Sequence, residues 1–169
     1  MTHGAFEPIV GVDLYKQEGR LRADDLAVRT YAAELLARAA QRIGEAVVDY
    51  QHTILPPSTR EQPFPPAELK APMDVGRRCQ QRYVALADRI RNAPFPPDPK
   101  KAWKRLRGPG AAQLLDFDRL LHQHAEYAAN IVDGVSAQVL AELPVREAEQ
   151  ALSDLTRALD ERIGFLSGL

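Results

Sequence analysis

Cysteine and tryptophan each occur once in these 169 residues, at Cys79 and Trp103, and aromatic side chains make up 7% of the chain. A single cysteine excludes an intramolecular disulfide framework and any metal site built from several thiolates. No apolar run approaches the roughly 18 to 20 residues that a bilayer crossing requires. The first residues also lack a basic start followed by an apolar signal core. These absences predict no membrane span and a cytoplasmic location. Reaction motifs are missing as well: there is no Gly-x-x-x-x-Gly-Lys-Ser/Thr loop, no Gly-x-Ser-x-Gly elbow and no His-Glu-x-x-His. The expectation is a protein that is not an enzyme and carries no cofactor. Arginine outnumbers lysine and alanine is abundant, a bias that suits a GC-rich bacterial genome and names no mechanism.

Charge of neither sign is scarce, but it is unevenly placed. Arg77, Arg78, Arg82, Arg89, Arg91, Lys100, Lys101, Lys104, Arg105 and Arg107 face only Asp88 and Asp98 between positions 77 and 107, so that stretch carries +8 in a chain whose total is −1. Such an island suits phosphates, an acidic partner, or the acidic remainder of its own fold. The tetrapeptide Pro-Phe-Pro-Pro occurs at 63–66 and again at 94–97, at either end of the segment holding the first five of these arginines.

The rest of the chain reads as helix, with apolar side chains every three or four positions. A first helix starts near Asp24 and Asp25, acidic residues suited to the positive end of a helix dipole, and runs to about Leu55 before Pro56 and Pro57 stop it. Its inner stripe is Leu26, Thr30, Ala33, Ala37, Ala40, Ile43, Val47, Tyr50 and Ile54. A second helix begins near Met73 and carries Val75, Cys79, Tyr83, Leu86, Ile90 and Ala93 until Pro94. A third follows Gly108-Pro109-Gly110 with a seam of Leu114, Phe117, Leu121, His124, Ala128, Ile131, Val135 and Val139, close to a heptad repeat. Leu143 and Pro144 make a turn, and a fourth helix carries Val145, Ala148, Leu152, Leu155, Leu159, Ile163 and Leu166.

Helices with one apolar stripe each bury those stripes against one another, which predicts an all-α four-helix bundle. A long Pro-rich connection, 56–72, joins the first two helices, and a short extra helix over 99–107 lies between the second and third. Residues 24–169 form a single domain, preceded by an N-terminal extended arm or short strand over 1–23. The second helix is the shortest of the four, so apolar surface is left for a second chain to cover, which predicts a homodimer.

Three groups of residues carry functional readings. The proline tetrapeptides favour the polyproline II conformation that partner domains read, although prolines between helices serve chiefly as stops. On that reading Phe64, Phe95 and Trp103 are the partner-binding side chains. The basic island is the alternative, a surface for nucleic acid or another phosphate polymer. A pI near 6.4 weighs against it, since dedicated binders are basic. A metal or small-molecule site inside the bundle comes third. His52 lies three residues after Asp49, and Asp118, His122 and Glu126 share one face of the third helix, with His124 on its seam. The di-metal pattern needs two such motifs and two more glutamates, all pointing inward, and it is incomplete here. Exposed i, i+4 pairs describe the Asp118 face better, and His124 is expected in the core, near Tyr50. The reading that results is a non-enzymatic helical protein acting through contacts with another protein or with itself.

Overall fold

The computed structural model describes residues 14–57 and 59–168, and among these the chain is all-helical with no strand. Five α-helices follow in order: α1 (Leu21–Thr53), α2 (Ala67–Arg91), α3 (Pro99–Leu106), α4 (Pro109–Ile131) and α5 (Val145–Ser167). Two 3-10 segments, Glu18–Arg20 and Ala137–Glu142, lead into α1 and join α4 to α5. No helix among the described residues is long and apolar enough to cross a membrane.

At 1.5 Å per residue the 33 residues of α1 span about 50 Å. This helix packs most extensively against α2 and also meets α4; α4 packs on α5, and α5 on α2. The Ala137–Glu142 segment lies against both α1 and α2. Small side chains make the approach of α1 and α2 close: Ala32, Ala33, Ala39, Ala40 and Ala46 are buried, and Gly76 of α2 has no room for more. A Cβ at Gly76 would lie 2.7 Å from Val47 Cγ2 and 3.1 Å from Leu140 Cδ1. Leu36, Ile43, Tyr83, Ile90, Leu114, Leu121, Leu140 and Leu155 fill the centre. The Tyr83 hydroxyl donates to the Ala128 carbonyl at 2.7 Å, which satisfies its one buried polar atom.

Several expected boundaries move. The predicted arm or short strand falls on residues outside those described as far as position 13; of the remainder, Leu14 and Tyr15 form a buried turn, and α1 begins at Leu21 rather than near Asp24. The helix α2 starts at Ala67, so the non-helical connection ends at Pro66 and Pro72 sits inside the helix. Pro72 removes one intrahelical bond, to a carbonyl on the exposed Glu68, where water can replace the lost donor. The short helix α3 closely matches its expected range, capped by the Asp98 carboxylate, which accepts from the backbone N–H groups of Lys100 at 3.0 Å and Lys101 at 3.1 Å. The α4 helix ends at Ile131, well before the predicted seam does, and the chain re-enters helical turns only at Ala137.

The buried faces of α2 and α5 follow the apolar spacing, although Val75, Val145 and Ile163 are only half-buried, and Gly76 and Ala87 on α2 and Ala151, Ala158 and Arg162 on α5 are buried as well. On α1 the first half is rotated: Leu26, expected inside, is 51% exposed, while Asp24, Asp25, Val28 and Arg29 are buried. On α4 the expected seam is also turned. Phe117, His124 and Ile131 are only half-buried, Val139 is exposed, and the fully buried positions include Asp118, His122 and Ala125. The reading of Asp118 and His122 as surface charges is therefore wrong, because Asp118 has a buried cation to meet on α5.

Candidate functional site

The most concentrated chemistry in the fold is an ion network that crosses the core from the Leu14–Tyr15 turn to α5. Asp25, Asp118 and Arg162 are each fully excluded from solvent. Arg162 donates from Nε to Asp118 Oδ1 at 2.7 Å and from Nη2 to Asp25 Oδ1 at 2.7 Å. The Tyr15 hydroxyl donates to Asp118 Oδ2 at 2.7 Å, and the Tyr15 backbone N–H donates to Asp24 Oδ2 at 2.9 Å. Arg29 closes the other side: its Nε donates to Asp25 Oδ2 at 2.8 Å, and its Nη1 donates to the Arg91 carbonyl at the end of α2. Arg162 Nη1 has no hydrogen-bond partner among the described residues.

Each charge in this network occupies a stripe position. Asp25 falls between Leu21 and Val28, Asp118 between Leu114 and Leu121, and Arg162 between Leu155 or Leu159 and Leu166. A charged residue placed where a heptad asks for leucine is the signal that sequence reading passed over, and it becomes legible only when the opposite charges on three helices are set beside one another. Burial pushes the Asp118 carboxyl above its ordinary range, against the pull of Arg162 and the Tyr15 hydroxyl. Burial also raises the Tyr15 hydroxyl, helped by Asp118. For Arg162 burial opposes the charge, but the two carboxylates more than offset it and hold the guanidinium protonated.

The histidines do not come together. His52 is exposed near the end of α1, His124 is half-buried, and His122 is 2% exposed with its ring stacked on Tyr31 at 4.8 Å between centroids. Burial lowers the His122 pKa to about 4, although Glu126 Oε2 stands 3.8 Å from Nδ1. Among the described residues, no three histidine, cysteine, aspartate or glutamate side chains are grouped so as to hold a metal ion. Cys79 is buried and makes no disulfide among the described residues, its thiol pushed up to about 11 by burial, with Glu149 adding to the shift and Arg82 opposing it.

All ten residues of the basic island are exposed, and half of them have partners inside the fold. Arg82 pairs with Glu149 and Arg89 with Asp160, both on α5 and both at 2.5 Å, while Arg91 pairs with Asp88 at 3.1 Å. Arg77 reaches Gln51 at 3.4 Å, and Arg105 donates to the Gly168 carbonyl at 2.5 Å. Among the described residues, the side chains of Arg78, Lys100, Lys101, Lys104 and Arg107 have no hydrogen-bond or ion-pair partner.

The three aromatic candidates have different surroundings. Phe64 is 80% exposed on the connection between α1 and α2. Phe95 and Trp103 are half-buried and pack on the core. Phe95 lies under the Arg22 guanidinium, 5.8 Å from its ring centroid, and Arg22 also donates to the Pro97 carbonyl at 3.3 Å. A cleft of about 400 Å³ opens beside it, walled by the second proline tetrapeptide, Lys101 and Leu166.

Comparisons with protein-family models, with curated proteins and with solved structures returned no match.

Proposed function

We propose that the chain is a non-enzymatic contact module, a four-helix bundle of α1, α2, α4 and α5 that works by binding another protein or a second copy of itself. The observation that carries this reading is Phe64, a large apolar side chain left 80% exposed between prolines, with Pro66 extended at φ −52 and ψ 140, near the polyproline II conformation. An aromatic side chain so placed gains burial only when something docks on it. The disposition of the titratable groups supports a non-catalytic role. Asp25, Asp118 and Arg162 spend their charge on one another, the Cys79 thiol is buried and weakly acidic, and His122 is kept neutral. The pairing of α2 arginines with α5 carboxylates argues against a track for a phosphate polymer, since counterion release needs unpaired cations in line.

The test is photo-cross-linking through benzoylphenylalanine at position 64, with recovered partners then purified and titrated by calorimetry. Binding that Phe64→Ala weakens at unchanged melting temperature supports the module. A chain that forms no cross-link, to a partner or to itself, and stays monomeric by light scattering at micromolar concentration loses this reading.

A further inference from the structure

Among the described residues, four cations with no hydrogen-bond or ion-pair partner stand together on or just beyond α3, and their position relative to the cleft at Phe95 defines a second surface. Lys100, Lys101 and Lys104 project from a helix of eight residues, about 12 Å long, and Arg107 follows it. Lys101 itself lines the cleft, and Lys104 lies one turn further along the same face. Arg105 holds Gly168, the neighbour of the cleft residue Ser167, which fixes the opposite rim. The floor is apolar, made by Phe95, Leu166 and the ring carbons of Pro94, Pro96 and Pro97. Among the described residues the one carboxylate in the wall is Asp98, which accepts from the backbone N–H groups at the start of α3 as its cap and stands as a single negative charge against three lysines.

We infer that this cleft takes an acidic peptide segment of a partner protein, one apolar side chain seated between Phe95 and Leu166 and flanking carboxylates on Lys100, Lys101 and Lys104. The inference rests on the contact-module reading and names the chemistry of its partner. Charge complementarity selects the occupant: among the described residues the unpaired cations of the basic island are Lys100, Lys101 and Lys104 on α3, Arg107 just beyond it, and Arg78 alone on α2. A polymer running on toward α2 meets Arg89 and Arg82 already bound to Asp160 and Glu149. A short anion with an apolar anchor fits those dimensions, and a long polyanion does not. The wall is also set in advance, by proline backbones and by Arg22 across Phe95 and Pro97, so little ordering cost falls on binding.

The probe is a fluorescein-labelled peptide, Asp-Glu-Glu-Leu-Phe-Glu-Asp, titrated at low salt by fluorescence anisotropy beside an anchor-free peptide of aspartate and glutamate alone and an oligothymidylate of equal charge. Weakening by about tenfold is expected when the anchor is removed, and again in the variant Lys100→Ser/Lys101→Ser/Lys104→Ser, whose exposed positions leave folding intact. Absence of binding, affinity unchanged by the lysine substitutions, or tighter binding of the oligothymidylate overturns the inference. A partner cross-linked through position 64 whose affinity the lysine variant leaves unchanged also sinks it, while the module reading stands.

Discussion

Arg162 on α5 and Asp118 on α4 share a 2.7 Å hydrogen bond with neither side chain reaching solvent. Removing one partner from such a pair leaves an uncompensated buried charge, whereas replacing both with apolar groups of similar volume is far milder. Arg162→Met is expected to cost about 3–5 kcal/mol, since it leaves Asp118 without a cation and Asp25 with Arg29 alone. The double variant Arg162→Met/Asp118→Leu should cost less than the two single changes added together. Urea unfolding at neutral pH measures all three, and strict additivity would show that the pair is not coupled.

His122 gives the fold a defined acid sensitivity. Its folded-state pKa is lowered from 6.5 to about 4, so between those values the unfolded chain takes up a proton that the folded chain refuses. Stability from this group is fully present above about pH 6.5 and is lost as pH falls toward 4, by about 3 kcal/mol in all. His122→Gln should remove that portion of the slope in a plot of unfolding free energy against pH. An unchanged slope between pH 6.5 and 4 would contradict it.

Thiol chemistry offers a third check. With its pKa pushed up to about 11 and its side chain buried, Cys79 should react with a disulfide reagent at pH 8 only when the fold opens. The expected result is a rate at least about 100-fold slower in native buffer than in denaturant. Prompt native labelling would mean that the packing around Cys79 on α2 opens readily.

Two glycines should answer oppositely to alanine. At Gly76 the new methyl meets Val47 at 2.7 Å, and forcing α1 and α2 apart is expected to cost about 1–3 kcal/mol. At Gly164 on α5 nothing lies within 4 Å, so Gly164→Ala should raise stability by about 0.5–1 kcal/mol through helix propensity alone. Thermal melts of the two variants, read in the same buffer, compare them directly.

Much of the fold is legible from spacing within single segments. Cys79, Tyr83, Leu86 and Ile90 declare the buried face of α2, and Asp98-Pro99 announces the start of α3, because one helix contains all the information needed. The faces of α1 and α4 are not legible in that way. Phe117 and His124 complete an apparent seam, and the true face is turned so that Asp118 and His122 go inward. That rotation is favourable only because Arg162 and the Tyr15 hydroxyl wait elsewhere in the fold, a fact that no window on α4 contains. The start of α2 was missed for a local reason: Pro72 reads as a stop, yet the turns before it lie on the surface and tolerate the lost bond.

The buried network also couples two events during folding. Asp25 meets Arg29 four residues along the same helix, but Asp118 has no cation on its own helix within the network; that cation, Arg162, lies 44 residues further along, on α5. A chain in which α5 has not yet packed therefore carries an unmatched carboxylate at a core position of α4, so the burial of Asp118 and the docking of α5 are one event.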